Sequence, residues 1–416
     1  MTSEPIVAAL DIGTAHTTAV VATVHGDLPR APKLRILGVG RTRTQGLRRG
    51  VVSDIEEATR SIKKAIEEAT LVAGVVPESL YVGIAGEHVR ALGSSGVVAI
   101  SGSEITRADV ERVNDVARAM AIPQDRELLH AISQEYRVDR AEGIRDPVGM
   151  IGTRLETEMY LITIGSSPAM NLRKSIERAG FKVRELVLEP LASAWAVLSE
   201  EEKELGVALV ELGAGTTDVA VFHEGKIRHL GTMPYGGNTV TSDLVQGLGV
   251  TQNDAEQLKE AYGCAYEPLV TADQLIALPA TAAHAERHLS RELMTHIIHQ
   301  RMDEIFDKVQ REVQNAGFAG KLNAGIVLTG GGASLEGVSD LAADVFGVGV
   351  RVGVPGDKLD GLVESISDPR FATVVGLAMY GAARAAGAGV LQRRASGSGG
   401  VEKITSRVRT WLQEFF

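Results

Sequence analysis

Two stretches of this chain carry nearly the same pattern. Val7 to Val24 is VAALDIGTAHTTAVVATV, and Ala208 to Phe222 is ALVELGAGTTDVAVF. Each is an apolar run, an acid, an apolar residue, a glycine, a turn of small and threonine residues, and a second apolar run. Asp11 and Glu211 hold equivalent places 200 residues apart. The parallel continues downstream, where LGVGRTRTQGLRRGVVSDI (Leu37 to Ile55) answers LGTMPYGGNTVTSDL (Leu230 to Leu244). Each copy then predicts a helix start, with Ser53 or Asp54 and Ser242 or Asp243 as N-caps. A repeated strand–turn–strand–helix unit predicts an α/β chain of two related halves.

The turn chemistry points to an anion. Gly13, Thr14, Ala15, His16 and Thr17 in the first copy, and Gly213, Ala214, Gly215, Thr216 and Thr217 in the second, offer backbone N–H groups and hydroxyls with little side chain in the way. One glycine-rich turn is ordinarily a plain hairpin; two in matching contexts are expected to grip one polyphosphate from both sides. His16 is either a phosphate donor or a solvent-facing turn residue. Asp11 and Glu211 would repel a phosphate directly, but each can hold a hydrated Mg²⁺ that bridges to it, since Mg²⁺ prefers oxygen ligands and keeps its waters.

A third glycine cluster, GIVLTGGGASLEGV (Gly325 to Val338), predicts a buried strand ending in Thr329, then Gly330, Gly331 and Gly332 lying flat against a ligand. A helix is expected to start near Ser334, with Glu336 and Asp340 early in it. The spacing is neither GxGxxG nor a P-loop. In LEPLASAWAVL (Leu188 to Leu198), Pro190 suits a first helical turn. Glu189 beside it either orients a water toward a terminal phosphate or simply complements the helix dipole. Small residues at Ala192, Ser193 and Ala194, and at Gly376, Ala378, Gly381 and Ala382 of the predicted helix Phe371 to Gly387, allow two helices to cross closely, as a hinge between the halves requires.

With 416 residues, 44% hydrophobic and 23% charged, the chain has ordinary globular composition, and its net charge of −10 argues against a nucleic-acid binder. Cys264 is the sole cysteine, which rules out an intramolecular disulfide and fits a reducing cytoplasm. The start, MTSEPIVAAL, lacks the basic region of a signal peptide, and no uncharged run approaches the ~20 residues of a transmembrane helix.

After Ala386 the sequence loosens into GAGVLQRRASGSGG (387–400), a glycine- and serine-rich linker. VEKITSRVRTWLQEFF (401–416) follows, with Val401, Ile404, Val408, Trp411, Leu412, Phe415 and Phe416 at helical spacing. Sixteen residues make a helix of ~24 Å, too short to span a bilayer. Such a helix either packs on the body of the protein or lies in a membrane interface, and its flexible tether favours the second.

The two hairpins, the crossing between them and TGGGASLEG resemble, in chain order, the phosphate 1, connect 1, phosphate 2, adenosine and connect 2 segments of the actin, Hsp70 and MreB superfamily. Within it, GGNTVTSDL (Gly236 to Leu244), DAEQLKEAYGCA (Asp254 to Ala265) and SRELMTHIIHQRMDEIFDKV (Ser290 to Val309) resemble the FtsA family of cell-division proteins. The resemblance implies a duplicated, ribonuclease H-like α/β fold around an ATP cleft. Its subdomains would be 1A (1–84 and 164–205), an inserted SHS2-like 1C (85–163), 2A (206–240 and 318–386) and 2B (241–317), followed by the linker and the amphipathic membrane-targeting helix. It implies ATP and Mg²⁺ as ligands, with at most weak ATPase activity. Glu256 and Lys259 would border the adenine and ribose. It also implies self-association into filaments on the cytoplasmic side of the inner membrane, binding of the FtsZ C-terminal peptide by 2B, and recruitment of later division proteins through 1C. Arg287, Arg291 and Arg301 are candidates to meet that peptide, or else they are a solvated helix face. Two positions depart from the superfamily pattern: Glu211 replaces the usual Asp, and His16 stands where Lys or another polar residue is common. PilM-type pilus-assembly and MreB-type shape-determining proteins are the alternatives, and the tethered C-terminal helix argues against both.

Overall fold

The computed structural model describes residues 4–27, 31–271, 273–279, 287–356 and 358–395. The membrane-helix positions Val401, Ile404, Val408, Trp411, Leu412, Phe415 and Phe416 lie outside the described residues, as do linker residues 396–400; residues 387–395, expected from their glycines as flexible linker, instead continue the last helix to Ala395. The chain opens with strands β1 (Ile6–Ile12), β2 (His16–Asp27) and β3 (Ala31–Arg43), a short pair β4 (Leu47–Arg48) and β5 (Val51–Val52), helix α1 (Ile55–Ala73) and β6 (Ser79–Ile84). An inserted segment carries β7 (Arg90–Ala99), α2 (Arg107–Arg118), β8 (Arg126–Val138), β9 (Ala141–Ile144) and β10 (Arg154–Gly165). Then come α3 (Ser166–Arg178), β11 (Lys182–Leu188), α4 (Glu189–Val197), α5 (Glu200–Leu205), β12 (Val207–Leu212), β13 (Thr217–His223), β14 (Lys226–Met233), α6 (Gly237–Leu248) and α7 (Gln252–Tyr262). The last third holds β15 (Leu275–Leu278), β16 (Arg287–Ser290), α8 (Arg291–Asn315), β17 (Ile326–Thr329), α9 (Val338–Phe346), β18 (Val350–Val352), β19 (Leu359–Gly361) and α10 (Ala372–Ala395).

The sequence duplication is a duplication of topology. One sheet has the order β11-β6-β1-β2-β3-β19, and another β18-β17-β12-β13-β14. In each, an antiparallel hairpin (β1–β2, β12–β13) has a third strand beside its second member and a parallel strand (β6, β17) beside its first. β12 is buried along its whole length, as its unbroken apolar run requires of a strand covered on both faces.

Local signals set the helix ends. Asp54 caps α1, its carboxylate accepting from Glu57 N at 3.0 Å, and Gly74 closes the helix in the left-handed region. Ala58, Ile62, Ala65, Ile66 and Ala69 form the buried stripe of that helix. The second copy differs from expectation. Helix α6 begins at Gly237, so Ser242 and Asp243 sit inside it rather than at its cap: Ser242 Oγ bonds back to Asn238 O at 2.8 Å, and Asp243 faces Arg301 of α8. The helix expected near Ser334 also starts later. Residues Gly331–Ser334 form a single 3-10 turn, and α9 begins at Val338 after Gly337. The positive φ of Gly337 breaks the path between the two, leaving Glu336 ahead of the helix and only Asp340 in its first turn.

The described chain divides into two compact units, one made of the two sheets above with their helices, the other built on His88–Asn171. The second has a four-stranded antiparallel sheet, β7-β10-β8-β9, with α2 against it. Thr106 and Asp109 form a capping box at the start of α2. Ile105, Val113, Tyr136, Val138 and Leu155 make its core. The segment TRADVERVNDVARAMAI (Thr106 to Ile122) carries α2, and LLHAISQEYRVD (Leu128 to Asp139) carries most of β8.

Candidate functional site

The two hairpins share one register. Ile12 faces Thr17 and Asp11 faces Thr18; Leu212 faces Thr217 and Glu211 faces Asp218. Their turns meet. A Cβ on Gly215 would lie 2.6 Å from Thr14 Oγ1, so only glycine permits the approach. The second turn is closed by Gly213 N donating to Thr216 O at 3.0 Å and is braced by Gly237 N and Asn238 N, which donate to Gly213 O at 2.9 Å and Ala214 O at 2.8 Å. These last bonds seat the N-terminus of α6 against the turn.

Above the turns lies a cavity of about 520 Å³, within the range of small-ligand sites. Of the residues singled out from the sequence, Ala15, His16, Gly213, Ala214, Thr217, Glu256, Lys259, Gly331, Gly332 and Ser334 line it. Asp11, Gly13, Thr14, Thr17, Glu189, Glu211, Gly215, Thr216 and Gly330 are not in its lining. The wall also includes Gly236, Gly237, Val240, Met302, Ile305, Leu335, Arg41 and Arg370, together with Leu212, Ala261, Gly263 and the acids Glu260 and Glu336. The part of Arg41, Val240, Met302, Ile305 and Arg370 in the cavity escapes sequence reasoning because they come from β3, α6, α8 and the turn at Pro369, and no spacing links them. One wall is apolar, from Val240, Met302, Ile305 and Leu335, and suits a flat ring. The lining also holds backbone turns and the cations Arg41, Lys259 and Arg370, which suit an anion, beside the acids Glu256, Glu260 and Glu336. Lys259 Nζ is held at the rim by Glu256 Oε2 at 2.8 Å, Thr241 Oγ1 at 2.9 Å and Gly237 O at 3.2 Å.

The acids form a group of their own. Glu211 is buried, with Ser193 Oγ donating to Oε2 at 2.9 Å and the Thr373 hydroxyl donating to Oε1. Asp218 accepts from Thr232 Oγ1 at 2.5 Å and Thr216 Oγ1 at 3.1 Å. Burial pushes Glu211 up to about 7, opposed by those hydroxyls and reinforced by Asp218, while burial lifts Asp218 to about 6. Asp11 is raised by burial and then by Glu211; Glu189 is raised well above the carboxylate range by burial and then by Asp11, Glu211 and Asp218. Several acids that lift one another out of the ionised state are a site where a cation would be welcome. Asp218 was missed from the sequence, although the hairpin register that places Thr18 beside Asp11 places it beside Glu211.

His16 is half-buried at the cavity wall, and burial together with the guanidinium groups of Arg41, Arg370 and Arg43 pushes it down to about 4. It is therefore neutral near pH 7. The three arginines proposed for a partner are occupied within the chain. Arg301 forms a fork with Asp243 at 2.5 and 3.2 Å; Arg291 donates to Tyr262 O at 2.8 Å and Gln274 Oε1 at 3.0 Å and pairs with Glu336; Arg287 donates to Leu248 O. A peptide at those side chains has to displace these bonds.

Two related halves whose Gly/Thr hairpins meet under a single cavity define an actin-like protein. Solved structures agree on the fold: the PilM-PilN type IV pilus biogenesis complex, at TM-score 0.64 and 16% identity over 90% of this chain and 98% of that one, and MreB5 of Spiroplasma citri bound to ADP, at TM-score 0.51 and 16% identity over 90% and 95%. Family models for "Cell division protein FtsA" and "SHS2 domain inserted in FTSA" match residues 208–376 and 86–163. Cell division protein FtsA of Pseudomonas aeruginosa is 42% identical over 91% of this chain and 90% of its own length, and that of Escherichia coli K12 is 36% identical over 99% and 97%. The chain belongs to the FtsA family of actin-like cell-division proteins.

Proposed function

We propose that this protein binds ATP with Mg²⁺ in the cavity above the paired hairpins, polymerises on the inner membrane, tethers FtsZ filaments there and recruits later division proteins to the septum. Membership of the FtsA family supports the division role. The observation that carries the nucleotide reading is the meeting of two same-register hairpins beside a cavity whose lining includes backbone turns, apolar side chains and three cations. Related folds bind such ligands: MreB5 of Spiroplasma citri has been solved with ADP and with AMPPNP.

In this reading the turns Gly13–Thr17 and Gly213–Thr217 cradle the phosphates. Glu256 and Lys259 border the ribose and base, and Gly330 to Ser334 lies along the nucleoside. Asp11 and Glu211, joined by Asp218, hold the metal through water. No group of three or more His, Cys, Asp and Glu among the described residues is set to hold a metal by itself, which fits a cation that keeps most of its waters and borrows oxygens from phosphate. Bound Mg²⁺ supplies charge neutralisation on the phosphate oxygens. Glu189, at the start of α4 and against Gly83 of β6, would in its charged form orient a water toward the terminal phosphate and support weak hydrolysis.

The subdomain limits given above are proposed as 1A, 1C, 2A and 2B, with 2B taking the FtsZ peptide. No helix among the described residues is long and apolar enough to cross a membrane, so attachment rests on 401–416. The deciding experiment titrates a peptide from the FtsZ C-terminus into the full chain, with and without liposomes. Saturable binding, and liposome sedimentation lost on deletion of Val401 to Phe416, are expected. A flat titration rejects the FtsZ reading, and unchanged sedimentation rejects the anchor.

A further inference from the structure

The cavity wall holds a guanidinium with no bonded partner among the described residues. Arg41, near the end of β3, is half-buried and lines the cavity beside His16. Its backbone N–H donates to Glu68 Oε2 at 3.2 Å, but among the described residues no hydrogen bond or ion pair reaches its side chain. Arg370, which follows Pro369 in the 3-10 turn leading into α10, lines the same wall and bonds Asp368 Oδ1 at 2.7 Å through Nε. Two guanidinium groups near each other, one with no bonded counter-charge among the described residues, repel each other in a half-dry cleft. Glu260 and Asp368 act on Arg41 only at a distance. Such a cation is relieved by an anionic ligand, and the guanidinium fork matches phosphate oxygens in a way a neutral imidazole cannot.

We propose that Arg41, supported by Arg370, is the cationic clamp on the phosphate chain of the bound nucleotide in this protein. From the sequence, His16 is either a phosphate donor or a solvent-facing turn residue. His16 is neutral at working pH and offers at most one N–H, whereas Arg41 brings a full charge from the same side of the cavity. Arg370 comes from the other end of the chain, so nucleotide bound between them is gripped by the first and last segments of the fold.

This inference rests on the nucleotide reading, and one titration series separates the two. Affinity for adenosine, AMP, ADP and ATP, the last two with Mg²⁺, is measured by calorimetry on the full chain and on Arg41→Gln, with Arg43→Gln, an exposed neighbour outside the cavity, as control. The expected result is a loss of ATP affinity of tenfold or more in Arg41→Gln, a smaller loss for AMP, and adenosine affinity within twofold. The salt dependence of ATP binding should also become shallower, and Arg41→Lys should recover part of the affinity. Unchanged thermal melting of the variants shows that they fold. Equal losses for adenosine and ATP would make Arg41 a wall or closure residue and overturn the proposal, as would unchanged ATP affinity in Arg41→Gln. Failure of the unaltered chain to bind ATP at millimolar concentration overturns the nucleotide reading itself.

Discussion

Ser193 Oγ donates to Glu211 Oε2 at 2.9 Å, joining the first helix after β11 to the central strand of the second sheet. Ser193 also lies 3.0 Å from Thr373 Oγ1, whose hydroxyl reaches the other oxygen of Glu211. One carboxylate therefore ties α4, β12 and α10 together at the place where the two sheets are joined, and all three side chains are buried. Removing one hydroxyl leaves a buried acceptor short of a donor, at about 1–3 kcal/mol. Ser193→Ala and Thr373→Ala are each expected to lower stability by that order in urea unfolding. The double variant should lose less than the two losses added, because both act on one group.

Glu211, at about 7, and Asp218, at about 6, stand above their ordinary values of 4.5 and 3.8. The folded state thus holds protons that the unfolded chain releases. This contribution is present in full below the ordinary values and is lost as pH rises through the folded ones. Stability of the ligand-free protein should decline from about pH 5 to about pH 7.5 through these groups. Asp218→Asn should flatten that decline, measured as urea midpoints across the range. If the wild-type and Asp218→Asn profiles run parallel, the side chain does not titrate as described.

A divalent cation beside the same acids favours their charged forms. The increment in ATP affinity on adding Mg²⁺ should therefore grow from pH 6 to pH 8. Asp11→Asn should remove most of that increment, about tenfold in Kd, while Mg²⁺-free binding changes little. Calorimetry with and without EDTA reads both. A Mg²⁺ effect that survives Asp11→Asn intact places the metal elsewhere.

Gly376 on α10 crosses α4 so closely that a Cβ there would stand 1.7 Å from Ala192 O. Backbone cannot yield as a side-chain tip can, so Gly376→Ala forces the helices apart. Overpacking of this kind costs about 1–3 kcal/mol and more where nothing can give. The expected outcome is a melting point lowered by several degrees, or an insoluble protein, compared with a smaller loss, of about 1 kcal/mol, for Ala378→Gly on the same helix.

The duplication was legible because an acid followed by glycine and threonine, twice, has few structural meanings, and the sheet order bears it out strand by strand. The close crossing of the helices at Ala192 and Gly376 was legible from small residues alone. Caps were harder to place. Ser242 and Asp243 have the chemistry of an N-cap, but two glycines ahead of them let α6 begin against the Gly213 turn instead, and tertiary contact overrode local preference. Arg41, Arg370 and Asp218 were out of reach for a different reason. Isolated charges in a sequence do not announce their neighbours: the hairpin register sets Asp218 beside Glu211, while β3 and the turn after Pro369 carry Arg41 and Arg370 to the cavity.

The edge of the first sheet carries a consequence for how the polypeptide is made. β19, Leu359–Gly361, pairs in parallel with Leu34–Ile36 of β3, more than 300 residues earlier. Until the ribosome has delivered that segment, a nascent chain holds its early strands with one border bare, and such borders recruit foreign strands. A message broken late in the coding region therefore yields a product more prone to clumping than one interrupted before the first sheet has formed.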